Sequence, residues 1–174
     1  MPSLREMKLP VPESGRFGML LNAKVNVERL QGWLHQMNDA GNGGTILLRP
    51  HPGFDTERLA GIECAELADW RQPLPEYLDS LDLAFALNTH AVVDALLHGV
   101  PVVYVGGLDP YAFDLHGFVA DGIAFAFDPT SSFVADANAF YGSQAFRRQW
   151  NVDEFEIDGE LEKRTLSTLS RGKG

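Results

Sequence analysis

The chain has 174 residues, a length that suits one domain with a sizeable hydrophobic core. Apolar residues make up 45% of the sequence and charged residues 22%, proportions that are ordinary for a soluble globular protein. The formal net charge of −10 argues against a surface for nucleic acid or an anionic membrane, although a few local donors suffice to bind one phosphorylated small molecule.

Segments of strand and helix character alternate along most of the chain. Residues 1–15 contain three prolines and little periodicity, which indicates an arm or linker, and residues 16–150 follow as one predicted nucleotide-binding domain. Residues 151–174 are acidic and are predicted to form a solvated helix or tail. Strands are predicted at 16–21, 45–48, 61–64, 83–87, 102–105 and 123–127, and helices at 25–40, 55–60, 73–81, 91–97, 112–120, 135–141 and 143–150.

The order of these elements predicts the fold. In residues 25–40 the apolar positions recur at helical spacing, and the stretch 38–44, rich in Asn and Gly, ends that helix. The unbroken apolar run at 45–48 suits a strand that is covered on both faces. Strands that alternate with helices predict an α/β protein with a three-layer, Rossmann-like parallel sheet and helices on both faces.

Cys64 is the single cysteine of the chain. One cysteine excludes an internal disulfide and favours a reducing, cytoplasmic compartment. Because no nucleophile signature surrounds it, Cys64 is expected to be a core or strand residue. The sequence has no run of 18 apolar residues and no signal-peptide core, so we expect a soluble protein without a transmembrane segment.

Polar residues follow two of the predicted strands, at the edge where open α/β sheets bind ligands. The strand at 45–48 ends in Arg49-Pro50-His51-Pro52, and the prolines on both sides of His51 hold its backbone within narrow limits. An imidazole presented in this way can donate to a phosphate oxygen, and Arg49 adds a permanent charge nearby. The alternative is a proline-stiffened loop with an exposed histidine.

The strand at 83–87 ends in a second polar turn, Asn88-Thr89-His90, which leads into the helix at 91–97. Such a turn exposes backbone donors at the positive end of a helix dipole, and Thr89 can both cap the helix and hydrogen-bond an anion. Asp94, on the first turns of the helix, can accept the hydroxyls of a ribose. The alternatives are an ordinary N-cap at Thr89, a surface acid favoured by the dipole at Asp94, and a structural or solvent-facing His90.

Two segments carry a family resemblance: LLRPHPG at 47–53 and DLAFALNTHAVVDALLHGVPVVYVGG at 82–107. Together they resemble the C-terminal, donor-binding half of GT-B glycosyltransferases. The closest branch is the capsule and teichoic-acid group, which includes the Kdo transferases and the CDP-glycerol glycerophosphotransferases. The likeness extends over residues 45–127. His51-Pro52 matches the family's His-Pro, Thr89 takes its hydroxyl position, Asp94 replaces its Glu, and Gly99-Val-Pro101 matches its Gly-x-Pro.

The resemblance implies a protein that binds a nucleotide-activated donor for surface polysaccharide synthesis. The donor would be a CMP-sugar, a CDP-alditol or another sugar nucleotide such as a UDP-sugar, with no other cofactor and no bound metal. By this analogy His51 is the catalytic residue, since it would contact the donor phosphate and stabilise the leaving group as charge develops. The implied nucleotide- and phosphate-binding residues are Arg49, His51, Asn88, Thr89, His90, Asp94, Gly106 and Gly107.

Two of these implied roles have particular features. Asp94 would hold the ribose hydroxyls with a shorter reach than the family's Glu. Gly106 and Gly107 would let the loop that follows them approach the ligand, and the alternative for them is a simple tight turn.

No His-x-x-x-His spacing or paired His/Asp spacing supports a metallohydrolase.

The resemblance also implies a missing half, because GT-B enzymes place the acceptor in a separate N-terminal domain. We therefore expect a fragment, a split-enzyme subunit with a partner chain or homo-oligomer, or an inactive relic, and no activity of the isolated chain. One alternative function is a sugar-nucleotide epimerase-like protein of related fold. Another is a non-catalytic interaction domain, with an exposed apolar face around Phe113, Phe118 and Phe125.

Overall fold

The structure is a computed structural model that describes residues 5–41, 45–111, 113–143 and 146. The strands are β1 (Phe17–Leu20), β2 (Ile46–Arg49), β3 (Ala65–Leu67), β4 (Leu83–Ala86), β5 (Val102–Tyr104) and β6 (Phe125–Ala126). The helices are α1 (Val27–Asp39), α2 (Leu74–Asp79), α3 (Ala91–Leu97) and α4 (Phe133–Gly142), with a 3-10 helix at Thr56–Leu59. All strand pairs are parallel, in the order β3–β2–β1–β4–β5–β6, which confirms the predicted α/β fold.

Strand alternation separates the two faces of the sheet, and α1 and α4 cover one of them. Phe17 of β1 and Phe85 of β4 point to this face. The ring centroid of Phe85 lies 5.0 Å from that of Trp33 in α1 and 5.1 Å from that of Phe133 in α4. All four rings are buried, so edge-to-face aromatic packing joins both helices to the centre of the sheet.

Tyr77 of α2 packs against the opposite face. Its side chain is fully buried, and its hydroxyl donates to the carbonyl oxygen of Leu47 in β2 at 2.6 Å. Burial raises the pKa of Tyr77 well above its ordinary value, so the hydroxyl keeps its proton. A Cβ at Gly18 would lie 2.4 Å from this hydroxyl oxygen and 2.5 Å from Cδ1 of Leu81, so β1 needs glycine at this position.

Tyr141 of α4 completes the hydrogen bonding at the start of β5. Pairing between β5 and β6 begins at Val103 and Phe125, which leaves Val102 without a strand neighbour on that side. The hydroxyl of Tyr141 donates to the carbonyl oxygen of Val102 at 2.6 Å and accepts from its amide at 3.0 Å. The tyrosine therefore satisfies both backbone groups of a buried residue at the amino end of the sheet.

The described part of the predicted arm packs against the domain. The amide of Arg5 donates to the Leu97 carbonyl, and that of Lys8 donates to the Gly99 carbonyl at 2.7 Å. The ammonium of Lys8 donates to three carbonyl oxygens at the end of α2, those of Leu78, Asp79 and Leu81. Burial lowers the pKa of Lys8. A lysine that binds the last carbonyls of a helix interacts favourably with the negative end of the helix dipole. The Lys8 side chain therefore fixes the position of the arm against α2.

The edge strand predicted at 61–64 is wrong in position, because β3 begins only at Ala65. Gln31 of α1 donates to the carbonyl of Glu63 at 3.2 Å and accepts from its amide at 2.8 Å, which ties this part of the loop to the helix. Cys64 follows with a left-handed φ of 61° and is exposed. Cys64 is therefore a turn residue, and the expectation of a core or strand position is also wrong.

The helix predicted at 112–120 is wrong for the part that the structure describes, 113–120, which forms turns. Side chains take up backbone groups that a helix would pair internally. Oδ2 of Asp114 accepts from the Val119 amide at 2.6 Å, and Asn88 binds the backbone of residues 113 and 115. Most of the helix predicted at 143–150 and all of the tail at 151–174 lie outside the described residues.

None of the helices in the described ranges is long and apolar enough to cross a membrane.

Candidate functional site

The carboxyl ends of the strands lie level with one another. Leu20 of β1 pairs with Arg49 of β2 on one side and with Ala86 of β4 on the other, and Ala86 pairs with Tyr104 of β5. The sequence order of the strands reverses between β1 and β4. The loops that follow these two strands therefore flank the crevice where open α/β sheets bind ligands.

Three buried polar side chains meet at this crevice. Asn22 follows β1, Asn88 follows β4 and Asp109 follows β5, and they are 8%, 7% and 2% exposed. Nδ2 of Asn22 donates to Oδ2 of Asp109 at 2.6 Å, and Nδ2 of Asn88 donates to both carboxylate oxygens at 3.2 and 3.3 Å. The carboxylate thus joins the loops after three neighbouring strands.

Asn22 and Asp109 were not among the residues that the sequence pointed to. Asn22 is a single polar residue directly after an apolar strand, and Asp109 follows Gly106-Gly107 in the loop after β5. Both positions lie at the carboxyl edge of the predicted sheet, which was the available signal. Their mutual contact is not local, since 87 residues separate them.

Asn88 has both polar atoms of its side chain engaged within the protein. Besides Asp109, its Nδ2 donates to the Phe113 carbonyl at 3.3 Å, and its Oδ1 accepts from the Leu115 amide at 2.8 Å. The hydroxyl of Tyr104 also donates to the Phe113 carbonyl at 3.3 Å. The turn after β4 is therefore bound to the 113–115 segment, on which Phe113 is 62% and Leu115 39% exposed.

His51 lies one strand away from the crevice, in the loop after β2. Its side chain is exposed, and its Nδ1 accepts from the Gly53 amide at 3.0 Å. An imidazole that accepts at Nδ1 carries its hydrogen on Nε2 when it is neutral. The loop therefore presents a ring donor, Nε2–H, at the carboxyl edge of the sheet.

The guanidinium of Arg49 is turned toward the protein. Its Nη2 donates to the Gln72 carbonyl at 2.6 Å and to the Trp70 carbonyl at 3.3 Å, and its Cζ lies 5.2 Å from the ring centroid of Tyr77. Burial lowers the pKa of Arg49. These contacts hold the 70–72 turn, from which the indole of Trp70 is 40% exposed.

The turn before α3 contains a half-buried threonine, Thr89, and an exposed histidine, His90. Oγ1 of Thr89 accepts from the Ala91 amide at 3.4 Å, a long contact that leaves the hydroxyl hydrogen available as a donor. His90 is the N-cap residue, and its side chain makes no capping bond. Asp94 is exposed on the first turn of α3.

The ring of His90 contacts His116, a histidine that no sequence motif indicated. Its centroid lies 4.4 Å from that of His116, whose ring lies 5.3 Å from that of Phe118. Burial lowers the pKa of His116, and His90 contributes in the same direction, against smaller opposite effects of Asp114 and Asp109. The pair is a second contact between the turn after β4 and the loop after β5.

Acidification from pH 7 to pH 5 is expected to destabilise the protein in part through His116. The pKa of His116 is lower in the folded chain than its ordinary 6.5, so the unfolded chain binds the proton first. Its stabilising contribution is full above pH 6.5 and is lost as the pH falls below that value. Urea unfolding between pH 7 and pH 5 should therefore show a shallower loss of stability in His116→Gln. An equal loss in wild type and variant would contradict this.

Two exposed cations lie at the rim of the crevice. Nζ of Lys24 donates to the hydroxyl of Tyr111 at 3.1 Å, and Nη1 of Arg29 donates to the Gly107 carbonyl at 3.0 Å. Gly107 has a φ of 79°, and no described residue lies within 4 Å of the position that a Cβ would take there; Gly106 is exposed beside it. Within the described residues no three His, Cys, Asp or Glu side chains gather as a metal site requires.

No family model matches the chain, and no curated protein matches it. Among solved structures, the calicheamicin glycosyltransferase CalG4 matches with a TM-score of 0.50 and 18% identity, over 97% of this chain and 41% of that chain. The glycosyltransferase SnogD from Streptomyces nogalater matches with a TM-score of 0.41 and 18% identity, over 95% and 41%. The GtfA/B complex matches with a TM-score of 0.46 and 11% identity, over 98% and 35%.

The chain therefore spans 41% of the length of CalG4. At 18% identity the likeness to that enzyme concerns the fold. The all-parallel sheet in the order β3–β2–β1–β4–β5–β6, with helices on both faces, is the Rossmann-like α/β architecture that this chain shares with glycosyltransferases of the GT-B type.

Proposed function

We propose that this chain binds the nucleotide part of an activated donor, as the donor-binding domain of a glycosyltransferase or glycerophosphotransferase. The donor is a CMP-sugar, a CDP-alditol or a UDP-sugar, and the product is a surface polysaccharide of the capsule or teichoic-acid kind. One observation carries the proposal: imidazole and hydroxyl donors and two exposed cations lie in the loops around the switch point of a fold shared with CalG4, a glycosyltransferase.

The phosphates of the donor lie between the loops after β2 and β4. Nε2–H of His51 and the hydroxyl of Thr89 are the donors, with His90 beside Thr89. One strand, β1, separates these loops, so they are about 10 Å apart at the usual strand spacing. A phosphoryl group placed between them accepts hydrogen bonds from both sides. His51 then stabilises the charge that develops on the leaving phosphate.

The charge of the ligand is balanced locally. The chain carries −10 overall, yet Lys24 and Arg29 both lie at the rim of the crevice. A flexible lysine can leave Tyr111 and follow a phosphate at small cost, because its present contacts are exposed. Arg49 does not contact the ligand in this proposal, because its guanidinium is bonded to the carbonyls of the 70–72 turn.

The ribose of the nucleoside lies beside α3. The exposed carboxylate of Asp94 accepts its two hydroxyls. The left-handed Gly107 and the adjacent Gly106 let the backbone after β5 come close to the ligand. The acceptor is bound by another unit, either a further part of a longer protein or a partner chain, and the domain alone has no transferase activity.

Calorimetric titration with CMP, CDP, UMP and UDP tests this proposal. Saturable binding of at least one nucleotide is expected, and His51→Ala and Thr89→Ala should each weaken it about 10-fold, because each removes one hydrogen bond to a charged group. His35→Ala is the matched control, since His35 is exposed on α1 and contacts Glu63. Its affinity should equal that of wild type.

Failure of all four nucleotides to bind folded protein would refute the proposal. The second candidate, a non-catalytic interaction domain, would then stand. Phe113 favours it, because this large apolar side chain is 62% exposed on a well-anchored loop. The wider apolar face expected around Phe118 and Phe125 is wrong, since Phe118 is buried and Phe125 partly buried under α4.

A further inference from the structure

We infer that Asp109 is a positioning residue of the proposed nucleotide site: it fixes the loops after β1, β4 and β5 in the arrangement that binds the ligand. The inference rests on the proposed function. It concerns a buried carboxylate to which neither the sequence nor the proposed phosphate contacts give a role.

Asp109 receives hydrogen bonds from all three loops. Asn22 donates at 2.6 Å from the loop after β1, Asn88 at 3.2 and 3.3 Å from the loop after β4, and the Tyr111 amide at 3.0 Å from its own loop. At 2% exposure the carboxylate is too deep to touch a ligand in the crevice. In the part of the chain that the structure describes, no ion pair includes it.

The identity of the side chain matters because both asparagines present donors to it. Oδ1 of Asn22 accepts from the Lys24 amide at 2.9 Å, and Oδ1 of Asn88 accepts from the Leu115 amide at 2.8 Å. These contacts turn both NH2 groups toward residue 109. A carboxylate offers only acceptors and accommodates both, whereas an amide at 109 would oppose an NH2 group to one of them.

The same contacts reach the groups proposed to bind the ligand. Asn22 orients the backbone at Lys24, and Asn88 lies directly before Thr89 and His90. Asn88 also holds the 113–115 segment, and thereby the ring of His116 against His90. If residue 109 no longer accepts hydrogen bonds from both asparagines, the three loops are no longer fixed relative to one another. The pairing of the strands beneath them is unchanged.

The test compares Asp109→Asn with Tyr141→Phe. Tyr141→Phe removes two hydrogen bonds to Val102 at the amino end of β5, and so it lowers stability far from the crevice. Both proteins are titrated with CMP, CDP, UMP and UDP at a temperature where each is folded. Asp109→Asn should bind the nucleotide that wild type prefers about 10-fold more weakly, as expected for displaced donors, and Tyr141→Phe should bind it normally.

Amide hydrogen exchange of the ligand-free proteins separates this inference from the proposed function. Exchange at Thr89 and Leu115 should be faster in Asp109→Asn than in wild type and unchanged in Tyr141→Phe. Equal exchange, equal affinity of Asp109→Asn and wild type, or an equal loss in Tyr141→Phe would overturn the positioning role. Absence of nucleotide binding in wild type, with faster exchange in Asp109→Asn, would overturn the proposed function and leave Asp109 as a loop anchor without a ligand.

Discussion

Gly18→Ala is expected to lower the free energy of unfolding by about 3 kcal/mol, the upper range for an overpacked core. A Cβ at Gly18 would approach the Tyr77 hydroxyl oxygen to 2.4 Å and Cδ1 of Leu81 to 2.5 Å. Neither neighbour can yield cheaply, because Tyr77 is bonded to the Leu47 carbonyl and both side chains are buried. The added methyl group would therefore separate α2 from the sheet.

Gly32→Ala is the matched control for this prediction. Gly32 lies in α1, and no atom of the described part of the chain lies within 4 Å of the position that its Cβ would take. The same chemical change should raise the free energy of unfolding by up to about 1 kcal/mol, since alanine is the better helix former. Urea unfolding followed by circular dichroism measures both effects. Shifts of the same sign in the two variants would refute the packing explanation.

Gly99→Ala is expected to lower the free energy of unfolding by about 3 kcal/mol and to release the arm that precedes β1 from the rest of the domain. Gly99 follows α3 with a left-handed φ of 71°, which costs an alanine about 1 kcal/mol. A Cβ there would also lie 2.2 Å from the carbonyl oxygen of Glu6. Because the arm bonds to this turn through Lys8, the clash would displace it from α2 and α3.

Gly41→Ala isolates the backbone component of that effect. Gly41 has the same φ of 71°, but none of the residues that the structure describes comes within 4 Å of its Cβ position. Gly41→Ala should lower the free energy of unfolding by only about 1 kcal/mol. Limited proteolysis should cut near Arg5 and Lys8 in Gly99→Ala, and not in Gly41→Ala. Equal costs, or an arm that stays protected in Gly99→Ala, would show that the contact with Glu6 contributes little.

The elements that the sequence predicted well depend on local signals. The helix at 91–97 begins and ends as predicted, since a polar turn precedes it and glycine ends it at Gly99. The strands at 83–87 and 102–105 were visible as short apolar runs. Such runs report burial on both faces of a parallel sheet, which needs no knowledge of the partner strand.

The wrong predictions concern segments whose structure depends on residues that are distant in the sequence. The segment 113–120 has a composition that is compatible with a helix, but Asn88, a residue 25 positions away from Phe113, takes up its backbone groups. The edge strand begins at Ala65 and not at the predicted residue 61, because Gln31 of a distant helix is hydrogen-bonded to the backbone of Glu63. A window of local sequence contains no information on either competitor.

The same distinction between local and distant signals applies to the candidate site. The loops that carry His51 and Thr89 could be placed at the carboxyl edge from the sequence, because strand ends and turn residues are read locally. The direction of a side chain could not. Arg49 turns inward to two carbonyl groups, and His90 meets His116 across two loops.

The amino-acid sequence by itself determined the α/β class and the polar turns after β2 and β4, because periodicity and turn chemistry act between neighbours in the chain. Only the tertiary structure decided how those turns are held. Asn22, Asn88 and Asp109 are separated by 66 and 21 residues, and each is an unremarkable polar residue until folding removes it from water. Once buried, each must find a partner, and the strand order supplies it from the neighbouring loop.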